Sequence, residues 1–270
     1  MLYKKLLNPK SQYIPVLNET TGNGRVVIKS KTRDYARTGV KTNFNSSTVD
    51  YNTNIIESTC TNIPALKEER FIDNLYNYQS KLILELNVLQ FPQENIRQLS
   101  TTWEKVAKTI YKSEHFGTQI EKKNYYKNDV DGLIATTTNP KVRTTAIFNH
   151  VKSKVKWNGF TGYTTDAGVA KAYKDGAGNV ADINLMLVSM LRHAGLKANP
   201  VLISTRKNGI PLLPTRSGFN YVICSVELDG GHLLLDAAND YTTINILPSK
   251  VINWKGRLIR EDRSSTWIDL

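Results

Sequence analysis

A chain of 270 residues, 40% hydrophobic and 22% charged, has a globular composition with room for one large core or two ordinary ones. Its net charge of +12 is thinly spread: 13 basic against 9 acidic residues in 1–100, and 23 against 15 in 101–270, with no three Lys or Arg in a row. That distribution lacks the polybasic footprint of a nucleic-acid binder, and no stretch nears the roughly 18 apolar residues needed to span a bilayer.

Met1-Leu2-Tyr3-Lys4-Lys5-Leu6-Leu7 has no long apolar core followed by a small-residue cleavage site, so it does not read as a secretory signal. Residues 1–60 are rich in Thr, Asn and Ser with short β-prone pieces. Asn23-Gly24 suits a type I′ turn leading into the strand Arg25-Val26-Val27-Ile28-Lys29. A second strand is expected over Lys81–Val88, with Asn62–Glu69 as a linker-like segment between. Residues 1–95 therefore read as a small β-rich domain or the remnant of one, and 96–270 as a second domain.

At Ser100 the pattern turns helical. Thr101-Thr102-Trp103-Glu104 has capping-box spacing, with the Thr101 hydroxyl and Glu104 expected to satisfy the first helix N–H groups. Trp103, Val106, Ala107, Ile110 and Tyr111 follow at helical intervals. Asn139-Pro140 opens another helix, proline being suited to the first helical position. Its expected apolar stripe is Val142, Ala146, Ile147, Val151 and Val155, with His150 beside it as a satisfied, partly buried side chain.

The helix from Val180 to about Ala194 is apolar almost all round, which requires burial on most faces, and Gly195 is placed to stop it. Pro200–Ser204, Phe219–Val226 and His232–Leu235 read as strands, the last two joined at Asp229-Gly230-Gly231. One central helix packed on an antiparallel sheet is an α+β architecture. Cys60 and Cys224 make no disulfide framework, and Cys224 alternates with Val222 and Val226 as a buried thiol would. No His/Cys cluster has zinc spacing, so neither metal nor cofactor is expected.

Three segments carry a resemblance: Gly178-Asn179-Val180-Ala181-Asp182 running to Leu191-Arg192-His193-Ala194-Gly195-Leu196-Lys197-Ala198, then Phe219-Asn220-Tyr221-Val222-Ile223, then Leu234-Leu235-Asp236-Ala237-Ala238. Together they resemble the transglutaminase-like domains of the papain-like cysteine protease superfamily, over roughly residues 100–250. Ala65–Glu69 and Val155–Gly159 resemble a bacterial envelope-type subfamily in which a β-sandwich precedes that domain. The resemblance implies a periplasmic or envelope location, although no signal is read in this chain. It also implies a catalytic cysteine where Val180 stands, a histidine where Tyr221 stands, and an aspartate orienting that histidine at Asp236.

Those residue types are needed together. A thiol at a helix N-terminus is favoured as thiolate by the helix dipole, an imidazole takes its proton, and a carboxylate orients the imidazole. Valine offers neither lone pair nor acidic proton, and a phenol with a pKa of about 10 is a poor base at neutral pH. Acyl transfer through this triad then has no nucleophile and no base. Cys224 lies three residues past Tyr221, on the opposite strand face. Ser189 is deep in the helix, and Ser204 and Thr205 end a strand where hydroxyls commonly serve turns. Asp175 also suits a turn. The expected function is a catalytically inactive domain with a binding or structural role through the degenerate cleft, apolar at Val180 and rimmed by Tyr221, where a peptide or protein is the partner class. Trp157, Asn179, Asp182 and Asn220 are its candidate lining. The alternative is a cysteine-independent hydrolase or transferase acting on peptide amides through Asp182 or Asp236.

Overall fold

The computed structural model describes residues 2–7, 15–36, 38–67, 70, 72, 74–90, 95–99 and 101–270. Glu68 and Glu69 of the linker-like segment, and Ser100 at the expected change of character, lie outside the described residues. β1 (Leu2–Leu7), β4 (Leu82–Leu89) and β5 (Arg97–Gln98) form one antiparallel sheet in the order β1-β4-β5. Between the first two in sequence, β2 (Val16–Ala36) and β3 (Gly39–Thr59) pair over their whole lengths as a two-stranded sheet.

The turn expected at Asn23-Gly24 is not there. Asn23 pairs with Asn52 and Gly24 with Tyr51 inside the ladder, and the chain reverses at Thr38, between Ala36 and Gly39. A Cβ on Gly24 would meet the Tyr51 ring at 2.5 Å, so this glycine serves a cross-strand aromatic rather than a turn.

The helical part begins with α1 (Trp103–Tyr111), capped one residue later than its sequence suggests. The Thr102 hydroxyl accepts from the Lys105 N–H at 3.3 Å, while Glu104 accepts a hydrogen bond from Arg257 at 2.7 Å. The buried guanidinium takes the carboxylate that a capping box at Thr101 would have used. Then come α2 (Gly117–Glu121), α3 (Lys127–Ile134) and α4 (Pro140–Lys154). Asn139 caps α4 through its side chain as expected, with Pro140 at the first position. The buried face of α4 is Thr144, Ile147, Phe148 and Val151, at helical i, i+3, i+4, i+7 spacing. Val142 points outward and Ala146 is half-buried, which moves the expected stripe around the helix.

β6 (Lys156–Trp157) runs parallel to β7 (Ala177–Gly178), with α5 (Val169–Asp175) between them. The central helix α6 (Val180–His193) follows at once, buried from Val180 to Leu191, with Gly195 at φ +80° just beyond its end. It packs on β8 (Ala198–Ile203) and β9 (Tyr221–Leu228) and is flanked by α2, α4 and α5. β10 (Gly231–Leu235) completes a hairpin with β9. Two further strands, β11 (Lys255–Ile259) and β12 (Ser265–Asp269), extend the sheet on the other side in the order β10-β9-β8-β11-β12. Trp103 of α1 packs edge-on against Phe219 and Trp267, fixing α1 to that sheet. The architecture is α+β, and it brings the start of α6, the start of β9 and the end of β10 into one region.

Candidate functional site

The approach to α6 is set by close packing. A Cβ on Gly178 would meet the Cβ atoms of Asp182 and Ala172 at 2.8 and 2.9 Å, so only glycine lets β7 run this near the helix. Asn179 is the N-cap: its Oδ1 accepts from the Asp182 N–H at 2.8 Å, and Asp182 Oδ2 accepts from the Asn179 N–H at 3.0 Å. This reciprocal box satisfies two N–H groups at the helix start. Asp182 Oδ1 also accepts from the Gly168 N–H at 3.0 Å, and Asn179 Nδ2 donates to the Thr164 carbonyl at 3.0 Å. Burial raises the Asp182 carboxyl above its ordinary range, against the pull of these backbone donors. Both side chains are buried fasteners of the helix terminus rather than lining of an open surface.

Val180 itself is 0% exposed, and its N–H donates to the Phe160 carbonyl at 3.3 Å. The same carbonyl accepts from the Trp157 indole N–H at 2.7 Å, which holds Trp157, 41% exposed, beside the helix start. Lys250 lies over the Trp157 ring with Nζ 4.7 Å from its centroid, and 5.1 Å from the Tyr221 centroid. Beneath Lys250 the Tyr221 hydroxyl donates to Asp236 Oδ2 at 2.9 Å. A continuous chain of contacts thus links Val180, Phe160, Trp157, Lys250, Tyr221 and Asp236.

Asp236 is 0% exposed and fully engaged. Its Oδ1 accepts from Asn184 Nδ2 at 2.9 Å and from the Ala238 N–H at 3.0 Å, and its carbonyl accepts from the Thr242 hydroxyl at 2.5 Å. Burial pushes its carboxyl above the ordinary range, opposed by the Asn184, Tyr221 and Ala238 donors and by the Lys250 charge. The Tyr221 hydroxyl, also buried, is pushed well above the usual phenol range, first by burial and then by the Asp236 charge. It is a donor to Asp236 rather than a base. Tyr221 was expected to rim a cleft; it is 1% exposed, with the Lys250 ammonium over its ring.

The remaining candidates are spent on structure. Asn220 Oδ1 accepts from the Thr205 N–H at 2.9 Å and its Nδ2 donates to the Thr205 hydroxyl at 2.8 Å, stapling a loop. Ser204 donates to the Gly209 carbonyl at 2.6 Å, and Ser189 to the Lys122 carbonyl at 3.1 Å. Asp175 pairs with Lys171 one turn away. The Cys224 thiol is fully buried, which raises it far above the range where thiolate forms. His150 meets the Tyr173 hydroxyl at 3.0 Å and is lowered by burial. Among the described residues no group of His, Cys, Asp and Glu is arranged to hold a metal ion, and no helix is long and apolar enough to cross a membrane.

Sequence reasoning missed two members of the site. Asn184 donates to Asp236 and to the Val222 carbonyl at 3.0 Å, and accepts from the Ala237 N–H at 2.9 Å. Its signal was the one amide side chain in a largely apolar helix, a side chain that must find partners when buried. Lys250 carried no local signal, because its partners are about 30 and 90 residues away in sequence.

Residues 128–237 match the family model described as the transglutaminase-like superfamily, a span from α3 through Asp236. A solved structure named as a candidate protease from Parabacteroides distasonis aligns with 99% of this chain at a TM-score of 0.50 and 13% identity. This chain spans 47% of that protein's length, and the likeness is one of fold. A candidate cysteine protease from Cytophaga hutchinsonii aligns with 100% of this chain and 82% of its own, at a TM-score of 0.35 and 10% identity. No curated protein matches.

Proposed function

We propose that the transglutaminase-like domain at residues 128–237 of this chain is catalytically silent and acts by binding or by architecture. In this reading Val180, Tyr221 and Asp236 stand at the positions of nucleophile, base and orienting acid, and the chain divides near residue 95 into a β-rich part and the transglutaminase-like part.

The observation that carries the reading is the Tyr221–Asp236 hydrogen bond, 2.9 Å long and buried. An acid that orients a histidine has an imidazole to hold; here it holds a phenol that keeps its proton. Val180 supplies no nucleophile, and the capping box at Asn179 and Asp182 keeps the helix start satisfied without one. Asp182 and Asp236 are enclosed in internal hydrogen bonds, which leaves the acid-based alternative without an exposed acid. The solved fold neighbour is named as a candidate protease, so proteolysis of peptide amides is the activity to measure.

The test is a pair of variants assayed for peptide hydrolysis and for amine incorporation into a glutamine peptide. Val180→Cys alone is expected to give neither, because Tyr221 does not accept the thiol proton. Val180→Cys with Tyr221→His is expected to label faster with a thiol-directed electrophile, as an imidazole within reach favours thiolate. Rapid turnover by the unaltered chain or by the single variant overturns the reading.

A further inference from the structure

Lys250 is held between two rings that are themselves fixed. Its Nζ lies 4.7 Å from the Trp157 centroid and 5.1 Å from that of Tyr221, both inside the ~6 Å over which a ring face attracts a cation. Trp157 is anchored by its indole N–H on the Phe160 carbonyl, and Tyr221 by its hydroxyl on Asp236. Donating to a carboxylate polarises the phenol and makes its ring face more negative, which strengthens the attraction. The buried Asp236 carboxyl stands behind that wall, its two oxygens accepting from Asn184, Tyr221 and the Ala238 N–H. Lys250 arrives from a single 3-10 turn, Ser249–Val251, whose Val251 is buried. Among the described residues the ammonium has no ion pair with a carboxylate, so the two rings are its direct partners. One wall, Trp157, remains partly open to solvent.

We propose that Trp157 and Tyr221 form an ammonium-binding slot, that Lys250 is its resident occupant, and that the external ligand it fits is the primary or methylated ammonium of a lysine side chain on a partner. The slot's geometry stands by itself; its use by a partner rests on the binding role proposed above. Because Lys250 belongs to the same chain it fills the slot intramolecularly, and a partner's ammonium enters only when the Lys250 side chain leaves the two rings. The chain then carries a binding site together with the plug that regulates it.

The experiment titrates tetramethylammonium chloride, and separately Nα-acetyl-lysine methylamide, into the unaltered protein and into Lys250→Ala at constant ionic strength. The readout is the Trp157 indole N–H resonance, assigned through its loss in Trp157→Phe. Lys250→Ala is expected to give a saturable shift with both ligands at concentrations about tenfold lower than the unaltered chain requires. Nα-acetyl-norleucine methylamide, similar in size but uncharged, is expected to give none. A folded Lys250→Ala variant without a saturable shift, or one equal to the unaltered chain, overturns the proposal. A second measurement needs no variant to fold: in the unaltered protein the Lys250 ε-methylene protons are expected upfield of every other lysine, shielded by both rings. An ordinary position overturns the slot. Amide-transfer activity in the unaltered chain would sink the silent reading without touching these ammonium results, and a failed titration would sink the slot while leaving the silent reading standing.

Discussion

At the scale of single residues, the chemistry turns on what Tyr221 does for Asp236. The carboxylate is buried with three donors, and the phenol is one of them. Tyr221→Phe removes that donor and leaves a buried oxygen short of a partner, which costs about 1–3 kcal/mol. The loss also removes a bond that favours the charged form, so the Asp236 carboxyl, already raised by burial, rises further. The variant therefore binds its proton more readily when folded. Its deficit is smallest at acid pH, where Asp236 is protonated in both proteins, and grows as pH rises. Urea unfolding of both proteins across pH checks this; a deficit that shrinks with rising pH contradicts it. Val180, Tyr221 and Asp236 were singled out through the family resemblance of their short segments, and the fold brings Tyr221 and Asp236 into a direct hydrogen bond. Asn184 and Lys250 were not singled out, since their roles depend on partners brought near only by the fold.

At the scale of elements, α1 shows how a tertiary charge overrides a local motif. Glu104 has capping-box spacing from Thr101, yet it reaches Arg257 of β11, whose side chain is 4% exposed while that of Glu104 is 66% exposed. A hydrogen bond from its own backbone N–H, and then the Arg257 guanidinium, hold the Glu104 carboxyl below its ordinary range. A carboxyl depressed in the folded state contributes stability above its unfolded pKa of 4.5, and that contribution is lost as pH falls through the folded value. Glu104→Gln is expected to lower stability at neutral pH by under about 1 kcal/mol, given the exposure of the carboxylate. Acid unfolding curves of the two proteins should converge at low pH, and a constant gap from pH 7 to pH 2 would refute the assignment. The start of α4 and the extent of α6 were readable, because a cap residue and an all-apolar run are local signals. β11 and β12 were not, since Lys255–Ile259 and Ser265–Asp269 mix Gly, Arg, Ser and Thr without a clear alternation. The turn of the β2–β3 pair misled for a related reason: Asn-Gly is a strong local cue, and a cross-strand tyrosine claimed the glycine.

Across the whole molecule, stability is unevenly placed. Helix α6 lies buried against a five-stranded sheet, whereas β2 and β3 form a two-stranded sheet whose residues are largely exposed. Isolated two-stranded hairpins are marginal in water. Amide hydrogen exchange should therefore be fast over Val16–Thr59 and slowest over α6, β8 and β9, approaching the global unfolding free energy there. Equal protection in both regions would contradict this picture. The α+β class was legible from the order of apolar helix and alternating strands, but the length of the β2–β3 pair was not, because polar, Thr- and Asn-rich strands carry little periodic signal.

Asn184 ties α6 to β9 and to the chain just past β10 through hydrogen bonds to the Val222 carbonyl, Asp236 and the Ala237 N–H. The floor of the site is consequently stiff: Tyr221 cannot shift without displacing Asp236, nor Asp236 without straining the core helix. In the binding role proposed above, this floor presents a fixed shape, and the rearrangement on the protein's side falls to the Lys250 side chain that covers it.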